Sequence, residues 1–247
     1  MLETMTQRVV DAGESYATAL TAGRPDSVVA MAMSDEEKEQ ISKVYDSRLV
    51  SKKGVERETY DQIRTLVGKC PFCGFGEVWE VDHYLPKDQF PELNVLPNNL
   101  VPICHGCNHT KLTSLPEAAN RSLLHPYFDV LPNEKWMFAR LNIEEGGPVL
   151  EYFAQLDTRH GALSDRLSFH FTKLELPRRM KSISAQVLVE MEADIEEHLS
   201  NFGEQWISDH FRDQGERVFR RHGNTIEMAA YFAAAQNLNY CAGAYRS

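Results

Sequence analysis

One stretch decides the fold, and its three segments read Cys70-Pro71-Phe72-Cys73, Val81-Asp82-His83 and Asn98-Asn99-Leu100-Val101-Pro102-Ile103-Cys104-His105-Gly106-Cys107-Asn108-His109-Thr110-Lys111. Each Cys-x-x-Cys pair forms a tight turn that can present two thiolates to one ion. Together the pairs complete a tetrahedral zinc site, and four thiolates leave no open position. We therefore predict a structural zinc on Cys70, Cys73, Cys104 and Cys107. The alternative is four unrelated buried cysteines, and the fifth, Cys241, is expected to be a small core residue.

Between the cysteine pairs the sequence predicts an antiparallel β-hairpin. Residues 78–83 and 100–103 have the character of strands, and residues 84–98 would form a long loop between them. A helix is expected to begin near Cys107. In this arrangement the zinc would pin the start of the first strand to the end of the second.

The composition is typical of a soluble globular protein. No apolar run among the 247 residues is long enough to cross a membrane. The N-terminal residues lack a basic segment followed by an apolar one, so we expect no signal peptide and a cytoplasmic location. A reducing cytosol disfavours disulfides and favours metal binding by paired cysteines.

The net charge is −10, and no region of the chain is basic overall. A protein that holds DNA alone through many phosphate contacts usually has a basic face. We therefore expect any affinity for nucleic acid to be local, weak or supplied by a partner protein. The densest basic groups, at 178–181 and 217–221, could follow a nucleic-acid backbone or could pair with acidic side chains on the surface.

Helices are expected on both sides of the cysteine-rich stretch. Upstream, helices are predicted over 1–22, from Ser34 and over 55–67, and Ser34 with Glu37 has the pattern of a capping box.

Downstream, residues 135–143 and 149–156 flank a Glu-Glu-Gly-Gly turn and predict a second β-hairpin. Helices follow from Pro177, and Asn224 is expected to cap the last of them.

Residues 70–111 resemble the HNH endonucleases, which have a ββα-metal fold. In that family an Asp-His ends the first strand, an Asn-Leu opens the second, and a Cys-x-x-Cys-Asn-x-x-Lys runs into the helix. The matching residues are Asp82, His83, Asn99, Leu100, Cys104, Cys107, Asn108 and Lys111. Asn in place of His at the third position is common in the family.

The resemblance implies that Asp82 and Asn108 hold a catalytic Mg²⁺ or Mn²⁺, that His83 is the general base and that Asn99 orients His83. The chemistry of these side chains agrees, because a neutral imidazole can take a proton from water and hard oxygen ligands suit Mg²⁺. Adjacent strand residues point to opposite faces, so Asp82 and His83 converge only if the strand ends or bends there. Pro86 indicates that it does. Outside this pattern, Asp-His would be a surface dipeptide.

Two lysines are candidates for phosphate contacts. Lys111 lies one helical turn beyond Asn108 on the same face, and Lys87 lies in the loop. For each, the alternative is a solvated lysine.

The sequence alone does not assign a role to three histidines near the motif. His105 is expected to be exposed between two zinc ligands, whereas His109 could replace or supplement Asn108 on the metal. His125 belongs to an aromatic segment at 124–129. We expect a packed turn there, with a role at the rim of the active site as the alternative.

The predicted fold is α+β. We expect an N-terminal helical region at 1–68, a zinc-stabilised ββα-metal core at 69–130, and a hairpin with helices at 131–247 that packs as one unit with the core. We predict a metal-dependent endonuclease that hydrolyses DNA phosphodiester bonds. One such site cuts one strand, so a double-strand break needs a homodimer or a second nick.

The general layout and the 124–129 segment resemble the HNH component of Septu-type or retron-associated anti-phage defence. That resemblance implies a partner protein, an ATPase, which supplies targeting. Two alternatives stay open: an RNA-cleaving nuclease or toxin, and a zinc-stabilised module that only binds nucleic acid or protein.

Overall fold

The computed structural model describes residues 2–246, and it describes the side chains of residues 5–245. The chain divides into two compact units, Met1–Val130 and Leu131–Ser247. The predicted α+β class is confirmed, because helices are combined with two antiparallel hairpins. Among the described residues, no helix has the length and apolar character that a membrane span requires. The functional division into three regions stays a prediction.

The α-helices of the first unit are α1 (Leu2–Thr21), α2 (Asp35–Val44), α3 (Arg57–Thr65) and α4 (His105–Lys111). The capping box is confirmed, since the Ser34 hydroxyl accepts the N–H of Glu37 and the Glu37 carboxylate accepts the N–H of Ser34. After α2 the chain makes a π-helical turn, Tyr45–Val50, which places Tyr45 in the core.

The predicted first hairpin is confirmed. Strands β1 (Glu80–His83) and β2 (Leu100–Ile103) pair antiparallel, and β1 begins two residues later than expected. The loop between them contains two short 3-10 turns, Pro91–Leu93 and Pro97–Asn99.

Side chains alternate along β1, as a strand requires. Val81 and His83 lie on its buried face, whereas Glu80 and Asp82 share the opposite, half-buried face. Tyr45 is part of the hydrophobic cluster that covers the buried face. Burying the apolar face fixes the register, because a shift of one residue would exchange the two faces.

The second unit combines a hairpin with helices. Its elements are β3 (Met137–Glu144), β4 (Gly147–Ala154), α5 (Ala162–Lys173), α6 (Leu176–Ile183), α7 (Ala185–His222), α8 (Ile226–Ala235) and α9 (Leu238–Cys241). The predicted second hairpin is confirmed by the pairing of β3 with β4.

The predicted cap of α8 is wrong by one residue. Thr225 is the N-cap, and its hydroxyl accepts the N–H of Met228. Asn224 instead accepts the N–H groups of Trp136 and Met137 through its side-chain oxygen. Its side chain is therefore used to hold the start of β3.

Helix α7 is interrupted at Gly203, where φ is +79°. Only glycine adopts this backbone conformation without strain. The rings of His198 and His210, twelve residues apart, are 6.4 Å from each other. A straight helix would separate them by roughly 18 Å, so α7 folds back on itself as a helical hairpin.

Candidate metal centre and active site

The four paired cysteines form one cluster. All four are buried, and their sulfurs lie within 4.8 Å of one another. Sulfurs at about 2.3 Å from a tetrahedral zinc would stand about 3.8 Å apart, and the Sγ atoms of Cys73 and Cys104 are 3.8 Å apart. The residues therefore fit the ion, and the cluster could bind a structural zinc.

Backbone N–H groups donate hydrogen bonds to the cysteine sulfurs, which stabilises the thiolate form. The N–H of Gly76 donates to the Cys73 sulfur at 3.3 Å, and the N–H of Cys107 donates to the Cys104 sulfur at 3.4 Å. Hydrogen bonds from neighbouring thiols, that of Cys107 first, lower the pKa of Cys104, whereas the pKa of Cys107 is raised, first by its bond to Cys104. One thiolate thus makes the next one harder to form, which is the situation that a bound cation relieves.

Gly76→Ala tests how tightly the cluster is closed. A Cβ at Gly76 would lie 2.7 Å from the Cys104 sulfur. We expect a loss of about 1–3 kcal/mol in the free energy of unfolding and weaker retention of zinc, measured by thermal unfolding and metal analysis. Gly68→Ala is the matched control, since a Cβ there meets nothing within 4 Å. Equal stability and zinc content in the two variants would show that the cluster is loose.

Lys111 lies on the side of α4 that packs against β1. Its ammonium donates to the Asp82 carboxylate at 2.7 Å and to the His83 carbonyl at 2.7 Å. The Lys111 side chain is 1% exposed, so it is not a solvated lysine. A phosphate contact for Lys111 stays a prediction, and the ammonium already has two oxygen partners. Lys87 is exposed, with its ammonium 5.8 Å from the centre of the Tyr45 ring.

Lys111→Met and Lys87→Met test whether the two lysines differ in their contribution to the free energy of unfolding. Removing the Lys111 ammonium leaves the partly buried Asp82 carboxylate without its cation, which costs about 3 kcal/mol. Lys87→Met should leave the free energy of unfolding within about 0.5 kcal/mol. Urea unfolding of both variants checks this. Similar stabilities for the two would contradict a structural ion pair at Lys111.

His83 is held by a backbone carbonyl. Its Nε2 lies 3.0 Å from the Asn94 oxygen, and a carbonyl can only accept, so Nε2 carries the proton. Nδ1 is then the basic nitrogen of the ring. Burial lowers the pKa of His83, which keeps the imidazole neutral at pH 7. The Tyr45 ring, 4.8 Å away between centroids, packs against it.

Asn99 is expected to orient the His83 ring, and its side chain bonds to the backbone of Leu85. Its side-chain oxygen accepts the N–H of Leu85 at 2.8 Å, and its side-chain nitrogen donates to the Leu85 carbonyl at 3.1 Å. Its backbone oxygen accepts the N–H of Tyr84. These bonds fix the chain directly after His83. Asn99 thus positions the backbone that carries His83, while Asn94 holds the ring.

Asn108 is half-buried on α4 and lines a pocket of about 360 Å³. Glu80, His105, His109 and Leu112 also line it. Asn108 lies three residues before Lys111, on the same helical face. Because Lys111 contacts Asp82, the Asn108 face of α4 is turned towards the face of β1 that carries Glu80 and Asp82.

The three histidines whose roles the sequence leaves undecided differ in their surroundings. His105 is exposed, as expected, with Nδ1 3.7 Å from the Glu80 carboxylate. His109 is exposed at the pocket beside Asn108. His125 is 2% exposed; its Nδ1 accepts the N–H of Tyr127, and its Nε2 lies 2.9 Å from the Tyr16 hydroxyl. His125 is therefore part of a packed turn that α1 covers.

Three further residues of this region were not identified from the sequence. Glu80 could have been, since it precedes Asp82 by two residues and strand alternation places both on one face. Tyr45 and Asn94 could not, because one reaches His83 through tertiary packing and the other through its backbone carbonyl, which every residue has.

The geometry defines a class, an α+β protein with a four-cysteine cluster suited to structural zinc. The chain is 30% identical over 168 residues, 62% of its length, to protein ea31 of Escherichia phage lambda. It is 32% identical over 106 residues, 41% of its length, to the Septu protein PtuB of Bacillus thuringiensis. The matches cover 54% and 39% of those proteins, so the chain spans about half of their length or less. No model of a known family matches the chain, and no solved structure matches it.

Proposed function

We propose that this protein is a divalent-metal-dependent HNH endonuclease that hydrolyses DNA phosphodiester bonds. One observation carries the proposal: β1 and α4 face each other through the contact of Lys111 with Asp82. That contact supports a site in which Asp82 and Asn108 approach each other, with His83 following Asp82 at the end of the strand. A strand, a strand and a helix arranged in this way support assignment to the ββα-metal fold.

In the proposed hydrolysis each residue of the site has one role. His83 accepts a proton from the attacking water at Nδ1, because Nε2–H is engaged by the Asn94 carbonyl. Lys111 holds the Asp82 carboxylate in place, and Asn99 holds the backbone after His83. The carboxylate and amide oxygens of Asp82 and Asn108 would hold Mg²⁺ or Mn²⁺. That ion, when bound, stabilises negative charge on the phosphate and on the leaving oxygen.

A role in anti-phage defence, in the cytoplasm and with a partner protein, belongs to the same proposal. The similarity to the Septu protein PtuB supports it, although the match covers 41% of this chain. The net charge of −10 supports a partner that supplies affinity for DNA, an ATPase in our proposal. A homodimer would place two sites on the two strands.

The substrate class is tested by incubating the purified protein with supercoiled plasmid and with structured RNA, each with Mg²⁺. We expect conversion of the plasmid to the nicked circle and intact RNA. Cleavage of RNA alone would contradict the DNA assignment and support the RNA-cleaving alternative. Cleavage of neither substrate, by folded protein of full zinc content, would contradict a nuclease that acts without its partner.

A second function, a zinc-stabilised binding module without catalysis, is favoured by the burial of His83, which is 4% exposed. In that case His83 is a core residue and Asp82 is a structural partner of Lys111. Binding of plasmid without cleavage, unchanged by Mg²⁺ and by the presence of every candidate partner, would support it.

A further inference from the structure

The helical hairpin of α7 carries a group of rings, of which two are exposed and two are half-buried. This aromatic cluster consists of His198, Phe202, Trp206 and His210. Phe202 stacks on Trp206 at 4.7 Å, and Trp206 stacks on His210 at 5.1 Å with an angle of 8° between the planes. His198 meets the Trp206 ring edge-on at 5.3 Å.

The cluster faces outward. Phe202 is 55% exposed and Trp206 37% exposed, while Ile207 and Phe211 of the same hairpin are fully buried. The hydrophobic core of the second unit therefore does not need Phe202 and Trp206. Large apolar rings left exposed in a preformed stack are typical of binding surfaces.

The stretch of α7 that carries the cluster is acidic. Residues 185–213 contain eight acidic side chains and one basic side chain, Arg212, with histidine counted as neutral. Arg212 donates to the Asp209 carboxylate, so its charge is already paired. Asp194 lies 3.5 Å from His210 at the edge of the cluster. The stacked rings thus lie on an acidic stretch of the chain, with the Asp194 carboxylate beside His210.

We infer that the aromatic cluster and its acidic surroundings form a docking surface for a protein partner that presents arginine or lysine side chains around an apolar residue. Acidic side chains attract such a partner and repel the phosphates of nucleic acid. A guanidinium stacks well on the face of a tryptophan, and tryptophans are frequent anchors at the centre of interfaces. This surface is independent of the proposed nuclease chemistry.

The test uses the full chain and a synthetic amphipathic helical peptide of leucine and arginine. The same peptide with glutamate in place of arginine and a dT oligonucleotide serve as comparison probes. We expect the arginine peptide alone to bind in calorimetry, with an affinity that falls as salt rises. Trp206→Ala should weaken binding at least about tenfold, and Phe202→Ala is a second variant in case Trp206→Ala fails to fold. Asp194→Asn, which removes the carboxylate beside His210, should weaken binding and reduce its salt dependence.

Trp79→Ala is the matched control, since Trp79 is an exposed tryptophan, 64% accessible, in the first unit. Its binding of the peptide should equal that of the wild type. The inference is overturned if the arginine peptide does not bind, if Trp206→Ala and Trp79→Ala act alike, or if the glutamate peptide or the oligonucleotide binds equally well. A wild-type dimer in light scattering that Trp206→Ala abolishes would also overturn it, because the occupant would then be a second copy of the chain.

Discussion

Substitution of His83 by alanine is expected to lower the rate of plasmid cleavage by about 100- to 10,000-fold, the usual contribution of a general base. The reason lies in the fixed tautomer: Nε2–H donates a hydrogen bond to the Asn94 carbonyl, so Nδ1 is left as the base. Alanine removes that nitrogen and leaves the attacking water without an acceptor for its proton. The measurement is the initial rate of nicking at saturating Mg²⁺.

The control for this prediction must separate chemistry from folding. His222→Ala removes an exposed histidine near the end of α7 and should cleave at the wild-type rate. Circular dichroism and thermal unfolding should show that His83→Ala is folded, because His83 fills part of the core beside Tyr45. Cleavage by folded His83→Ala at the wild-type rate would contradict the assigned mechanism.

Substitution of Cys104 by serine is expected to abolish zinc binding and to unfold the first unit. Cys104 joins the end of β2 to the start of α4, and its sulfur lies 3.8 Å from that of Cys73. A structural zinc contributes its binding free energy directly to folding, on the order of 10 kcal/mol. This is comparable to the whole free energy of unfolding of a typical domain, about 5–15 kcal/mol. In metal analysis the zinc content should fall from about one ion per chain to none. Thermal unfolding should no longer show a cooperative transition for the first unit.

Cys241→Ser is the matched control for the zinc site. Cys241 is buried in the second unit, where its thiol donates to the Ala234 carbonyl at 3.3 Å. A hydroxyl can make the same bond, so this variant should keep its zinc and most of its stability. A Cys104→Ser protein with full zinc content and the wild-type unfolding temperature would show that the four cysteines are not a zinc site.

The parts of the fold that could be predicted from the sequence depend on local patterns. The Cys-x-x-Cys spacing identified the cluster because two ligands on a tight turn are a local arrangement. Ser34 and Glu37 identified the start of α2 because a capping box satisfies N–H groups within one turn. The hairpin from β1 to β2 followed from strand-like segments on either side of a long loop.

The parts that could not be predicted depend on tertiary packing. Lys111 has the spacing of a surface lysine, and only the packing of α4 on β1 places its ammonium on Asp82. The link from His83 to Asn94 uses a backbone carbonyl in the loop, which leaves no pattern in the sequence. Gly203 interrupts a helical pattern, but its positive φ and the reversal of α7 are visible only in the structure.

The central claim, hydrolysis that depends on a divalent metal at Asp82 and Asn108, is tested most directly by a Mg²⁺ titration of plasmid nicking. The wild-type protein is dialysed against metal-free buffer without chelator, so that the zinc held by four cysteines is retained, and its zinc content is measured. We predict no nicking before Mg²⁺ is added, saturable nicking as Mg²⁺ rises, and a much weaker response in Asp82→Ala. Nicking at the full rate with zinc as the sole metal, or a Mg²⁺ response that Asp82→Ala leaves unchanged, would contradict the claim.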